Sequence, residues 1–116
     1  MKIETINEDK RGSICEITID KNKFLMIRTN ANYMRGGDFH DTIQYQYIIL
    51  GRLELVYLKD NKEVKKIIKT GDVIKINPHT PHYFKSITYS VMIEYLEGEY
   101  SKHYYKPFRD VVISNL

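Results

Sequence analysis

Short runs of β-branched and aromatic residues recur along most of the chain, and no helical periodicity interrupts them. Seven runs show this composition: SICEITI (13–19), KFLMIRT (23–29), QYQYIIL (44–50), LELVYL (53–58), EVKKIIK (63–69), DVIKI (72–76) and SVMIEYL (90–96). Turn-forming sequences separate them: DKN (20–22), RGGD (35–38), KDNK (59–62), TGD (70–72) and NPHTP (77–81). This pattern predicts an all-β sandwich or barrel.

The C-terminal tail differs from the rest of the chain. YSKHYYKPF (100–108) is the only segment with helical potential, and Pro107 is expected to stop such a helix early. A length of 116 residues fits one domain of ordinary size, and no linker or low-complexity tract divides it. We therefore expect residues 1–116 to form a single β domain with a short aromatic tail.

Composition excludes several classes of protein. With 42% hydrophobic and 28% charged residues, the chain has the balance of a globular protein rather than a disordered one. No apolar run approaches the ~20 residues needed to cross a bilayer, and the N-terminus lacks the apolar core of a secretory signal. Cys15 is the only cysteine, which excludes an intrachain disulfide and a Cys-based zinc site. We expect a buried structural thiol at Cys15 and a cytoplasmic location for the protein.

The net charge of +3 gives little guidance about partners. Much of the basic excess lies in KNK (21–23) and KEVKKIIK (62–69). These lysines are explained either as solvated edges that discourage strand aggregation or as an electrostatic bias toward a phosphorylated ligand. No recognition-helix pattern or aromatic–basic motif is present, so neither nucleic acid nor a membrane is an expected partner.

Two polar stretches carry most of the residues capable of chemistry, GGDFHDTIQYQYIILG (36–51) and GDVIKINPHTPHYF (71–84). Together they resemble the two motifs of the cupins, the small double-stranded β-helix (jelly-roll) barrels. The first motif is matched by Gly37, His40, Gln44 and Gly51, and the second by Gly71, Pro78 and His82. The resemblance implies a single double-stranded β-helix barrel.

Metal-binding cupins typically hold their ion with three histidines and a glutamate. Here Asp38 stands at the position of the first histidine, and Gln44 stands at the position of the glutamate. The resemblance thus implies a reduced ligand set of His40, His82 and Asp38, with Gln44 as a weak neutral donor. Two imidazoles and one carboxylate can form an open facial triad. In this alternative the cofactor is a divalent transition metal (Fe, Mn, Ni or Zn), and the protein is a dioxygenase or small isomerase.

A second resemblance points to the sugar-nucleotide cupins. It rests on NEDKRGSI (7–14), RGGDFH (35–40), Gln44 and the aromatic tail EGEYSKHYYKPF (97–108). Within this branch the chain is most similar to the dTDP-4-keto-6-deoxyhexose 3,4-ketoisomerases, and less so to the dTDP-4-dehydrorhamnose 3,5-epimerases. The resemblance implies a homodimer that needs no cofactor and moves protons next to a keto group of a dTDP- or UDP-sugar. Asp38 departs from the ketoisomerase pattern.

The leading hypothesis is therefore an isomerase or epimerase-like enzyme. His40 is the predicted catalytic base, Asp38 orients it, and Tyr33 is the predicted second acid–base group. Residues 38 and 40 share one face of a strand, about 6–7 Å apart, which favours this pairing. The predicted substrate-binding residues are Arg35, Gln44, Gln46 and His82.

Arg35 has two interpretations from the sequence, because its planar guanidinium can bind a ligand diphosphate or pair with Asp38 or Asp41.

A third hypothesis for the whole protein is a non-catalytic ligand-binding cupin.

Overall fold

The computed structural model describes residues 1–116 and contains eleven strands followed by one helix. The elements are β1 (Lys2–Asp9), β2 (Gly12–Ile19), β3 (Asn22–Thr29), β4 (Met34–Phe39), β5 (Gln44–Leu50), β6 (Arg52–Lys59), β7 (Lys62–Lys69), β8 (Val73–Ile76), β9 (His82–Ser86), β10 (Ser90–Leu96), β11 (His103–Tyr104) and α1 (Lys106–Ser114).

The strands form two sheets, of order β1-β2-β3-β10-β5-β8 and β11-β4-β9-β6-β7. Every strand pair is antiparallel. The predicted all-β jelly-roll is confirmed.

All seven predicted strands are present, each within one residue of its expected bounds. The prediction of a turn at RGGD was wrong, because residues 35–38 lie inside β4. Gly36 and Gly37 have positive φ angles of 103° and 81°, and the pairing of β4 with β9 shifts register between Gly36 and Asp38. The two glycines therefore form a bulge within a strand instead of a chain reversal.

The predicted effect of Pro107 was also wrong. Helix α1 spans Lys106–Ser114, and Pro107 lies in its first turn. A proline is tolerated there because the first backbone N–H groups of a helix have no partner within the helix. Phe108 and Val112 bury the inner side of α1 against a cluster that includes Val56 and Tyr83. The tail thus anchors a helix to β4 and β9.

The apolar core lies between the two sheets. Its buried members are Ile27, Ile48, Leu53, Leu55, Ile68, Ile76, Phe84 and Met92. Cys15 is a free, buried thiol, as expected. The single helix lacks the length and apolar character needed to span a membrane. Buried polar side chains lie alongside this core, and they are the residues that form the candidate site: Arg35, Asp38, His40, Gln44, Gln46 and His82.

Candidate functional site

Two neighbouring strands bring three metal-ligating side chains together. β4 pairs with β9 so that Asp38 is the register partner of His82, the first residue of β9. His40 follows β4 directly, two residues beyond Asp38. Strand pairing therefore brings the second polar stretch of the sequence against the first.

The reactive atoms of these residues converge. Asp38 Oδ1 lies 3.6 Å from His82 Nε2 and 4.0 Å from His40 Nε2. One donor atom from each residue lies within 4.8 Å of the other two. The side chains of His40 and His82 are only 4% and 2% exposed. The cluster is thus enclosed by protein.

Backbone carbonyls orient both imidazoles. His40 Nδ1 lies 2.6 Å from the carbonyl oxygen of Ser101, and His82 Nδ1 lies 2.9 Å from that of Thr80. A carbonyl only accepts hydrogen bonds, so each Nδ1 carries a proton and donates it. Each Nε2 then presents its lone pair near Asp38. This tautomer, held through the far nitrogen, is the one that a metal-ligating histidine uses.

The donor set suits a transition-metal ion. Two neutral imidazole nitrogens and one carboxylate match the open facial triad. The donor atoms of the three residues lie 3.6–4.8 Å apart, slightly farther than donor atoms that each bind one ion at about 2.1 Å. A small movement of the side chains would therefore bring all three donor atoms within binding distance of one ion. Gln44, on β5, has a buried Oε1 without a hydrogen-bonding partner, and its Nε2 donates to Gln46 and Glu94. The residues present therefore fit such an ion.

Burial controls the protonation of the groups around the cluster. It lowers the pKa of His82, against the smaller opposing effects of Asp38 and the Thr80 carbonyl, so the imidazole remains neutral and able to ligate. Burial, reinforced by the charge of Asp38, raises the pKa of Glu94 to about 8. Tyr100 is more than half exposed, and the partial burial of its side chain, followed by the charge of Glu94, raises its pKa to about 12. Glu94 and Tyr100 are therefore mainly protonated at neutral pH.

The sequence analysis did not identify four contributors to the site. Glu94 lies on β10 between Met92 and Leu96, whose side chains are buried on the same face. A charged residue at an apolar position of the SVMIEYL alternation was the signal that could have identified it. Tyr100 lies with its ring centroid 6.1 Å from that of His40. The carbonyls of Ser101 and Thr80 had no sequence signal, because every residue has a carbonyl.

A cavity of about 340 Å³ adjoins the cluster. Most of the predicted site residues line it, together with the two side chains that were missed: Arg35, Asp38, Gln46, His82, Glu94 and Tyr100. Tyr33, which is half-buried before β4, is not among the lining residues, and neither are His40 and Gln44. The structure places Asp38 beside Nε2 of His40, and the Ser101 carbonyl holds Nδ1.

The other two histidines lie on the surface. His79 and His103 approach the two oxygens of Asp41, at 3.2 and 3.0 Å. Both side chains are more than half exposed, so they lie outside the enclosed cluster. Asp41 is thus engaged by histidines, and neither Asp41 nor Asp38 forms a salt bridge with Arg35.

No family profile matches the sequence, and no curated protein matches it. Solved structures do resemble it. CapF, the capsular polysaccharide assembling protein from Staphylococcus aureus, is 16% identical with a TM-score of 0.74, over 90% of this chain and 32% of that one. A single-substitution variant of oxalate decarboxylase from B. subtilis is 16% identical with a TM-score of 0.75, over 88% and 30%.

Vicilin from hazelnut, Corylus avellana, is 15% identical with a TM-score of 0.74, over 88% of this chain and 34% of that one. This chain therefore spans about a third of the length of each of these proteins. At such low identity the similarities establish the cupin jelly-roll fold alone.

Proposed function

We propose that this protein is a small-molecule cupin enzyme that holds one divalent transition-metal ion between Asp38, His40 and His82. The observation that carries the proposal is the orientation of the two imidazoles. Both donate Nδ1–H to backbone carbonyls, so both Nε2 lone pairs meet beside a single carboxylate oxygen. A pair of structural histidines has no need of this arrangement, whereas a metal site depends on it.

Each part of the site has a defined task in this proposal. The ion, when bound, supplies Lewis-acid or redox chemistry at its open positions, as in a dioxygenase or small isomerase. The carbonyls of Ser101 and Thr80 keep the two rings in the ligating tautomer. Glu94 is mainly protonated at neutral pH and faces the same cavity, where it can donate a proton to a bound substrate.

Metal binding tests this proposal directly. Chelator-stripped protein is titrated with Mn²⁺, Ni²⁺ and Zn²⁺ in turn by calorimetry, and the metal content of the purified protein is measured by mass spectrometry. We expect about one equivalent of ion, and a loss of affinity above about 100-fold in His82→Gln and Asp38→Asn. The matched control is His103→Gln, which removes a surface histidine. No binding by the wild type, or equal affinity in all variants, would refute the proposal.

A metal-free sugar-nucleotide isomerase is the second candidate. It is favoured by the position of Tyr100, whose ring lies 6.1 Å from that of His40 and can supply the second acid–base group in place of Tyr33. The description of CapF as a capsular polysaccharide assembling protein places a structurally similar protein in carbohydrate chemistry. This candidate includes a cytoplasmic homodimer that binds a dTDP- or UDP-sugar, with Arg35 near the diphosphate and Gln44 and Gln46 as polar contacts.

Thermal unfolding in the presence of chelator separates the two candidates. The isomerase predicts that dTDP or UDP raises the melting temperature, and that a keto-sugar incorporates solvent deuterium. Ligand stabilisation without deuterium incorporation would instead support a non-catalytic ligand-binding cupin. If neither nucleotide raises the melting temperature, the sugar-nucleotide candidate fails.

A further inference from the structure

Arg35 is a buried cation whose guanidinium is only partly used by the protein. The residue is 5% exposed and lies on β4, three positions before Asp38. Its Nε donates to Thr29 Oγ1 at 3.1 Å, and its Nη2 donates to the carbonyl oxygen of Arg28 at 3.1 Å. Nη1 is buried and has no hydrogen-bonding partner. One edge of the fork is therefore fixed, and the edge formed by Nη1 and the second Nη2 hydrogen is free.

No carboxylate neutralises this guanidinium. Asp9 lies near enough to influence Arg35, but Arg11 engages Asp9 through a bidentate pair, with Nη2 2.8 Å from Oδ2. Burial lowers the pKa of Arg35 to about 10, so the side chain is still charged at neutral pH. An unpaired charge in a protein interior is costly. Its retention in a fixed orientation is typical of a receptor for an anion.

The cavity beside Arg35 has room for a small anion. Its volume of about 340 Å³ equals the share of roughly eleven water molecules, at about 30 Å³ each. A small organic acid fits this space, and the cavity opens to solvent beyond it. The lining carries four cationic side chains, Arg11, Arg35, Lys102 and Arg109, against the two carboxyl groups of Asp38 and Glu94.

We propose that Arg35 binds the carboxylate of a small organic acid through its free edge and so holds the acid in the cavity that Asp38 and His82 line. A planar carboxylate matches two parallel N–H groups in bidentate fashion. A phosphate dianion would bring more charge toward the carboxylate of Asp38. This inference rests on the proposed function only in treating the acid as the substrate of the enzyme. Binding of the acid to Arg35 can be measured on the metal-free protein.

The experiment measures binding of pyruvate, benzoate and inorganic phosphate by calorimetry, with chelator-treated and with Mn²⁺-supplemented full-length protein. The variants are Arg35→Met, which removes the charge at similar volume, and Arg35→Lys, which keeps the charge but loses the fork. The control is Arg52→Met, at an exposed arginine on β6. If Arg35→Met does not fold, Arg35→Lys carries the comparison.

We expect saturable binding of pyruvate or benzoate at one site per chain. Affinity should fall at least tenfold in both Arg35 variants and stay unchanged in Arg52→Met. Equal affinity in wild type and either folded Arg35 variant would overturn the inference, as would phosphate binding without carboxylate binding or no binding under either condition. If the protein binds a carboxylate through Arg35 but binds no metal, the proposed metal site is refuted and this inference stands. If the protein binds metal but no carboxylate, this inference is refuted and the proposed metal site stands.

Discussion

Replacing Glu94 with glutamine is expected to stabilise the protein above pH 8 and to change its stability little near pH 5. Glu94 is half-buried at the cavity, where its carboxylate accepts a hydrogen bond from Gln44 at 3.1 Å and forms no salt bridge. Burial, reinforced by the charge of Asp38, raises its pKa from 4.5 to about 8. In the unfolded chain the same carboxyl returns to its ordinary pKa.

The sign of the effect follows from proton binding. Between the two pKa values the folded chain holds a proton that the unfolded chain has released, so the free energy of unfolding falls as the pH rises through this range. A rise from 4.5 to about 8, at about 1.36 kcal/mol per unit, sets an upper limit of about 5 kcal/mol for the loss. Water entering the cavity would reduce this value. The Glu94→Gln variant cannot ionise and should avoid the loss.

Urea unfolding of the metal-free protein between about pH 5 and about pH 9 measures this difference. Wild type and Glu94→Gln are compared with Glu99→Gln, which replaces an exposed carboxylate on the next loop and should follow the wild type. The contributions of other titrating groups cancel in the comparison. If wild type and Glu94→Gln change in parallel over the whole range, Glu94 ionises normally and the reasoning is wrong.

Two further predictions concern His82 and Gly37. Burial lowers the pKa of His82, so the unfolded chain gains a proton first as the pH falls below 6.5. The free energy of unfolding of the metal-free protein should therefore fall as the pH drops below 6.5, as measured by the same urea titration. An equally steep fall in His82→Gln would contradict this role of His82. Gly37→Ala should cost at least about 2 kcal/mol more than Gly71→Ala in thermal unfolding. Both positions have positive φ, but only at Gly37 would a Cβ lie 2.6 Å from the Cα of Arg109, so equal losses would exclude a clash with α1.

Local pattern was sufficient to predict most of the framework. Alternation of apolar and polar residues located seven strands, because a half-buried strand needs one apolar face whatever its neighbours are. The resemblance of the two glycine- and histidine-containing stretches to the cupin motifs predicted the jelly-roll and pointed to Asp38, His40 and His82. The predicted turn at RGGD failed because glycine permits both a chain reversal and a bulge, and only pairing with β9 decides between them.

The tertiary structure alone decided how the site works. Asp38 and His82 become neighbours only through strand pairing. The carbonyls of Ser101 and Thr80 fix the imidazole tautomers, and a backbone carbonyl is a feature that no residue type reveals. The elevated pKa of Glu94 and the free edge of Arg35 likewise arise from burial and from which partners are absent. A sequence specifies which groups can ionise, ligate or donate, but their distances, solvation and remaining hydrogen-bonding capacity depend on residues that meet only in the folded chain.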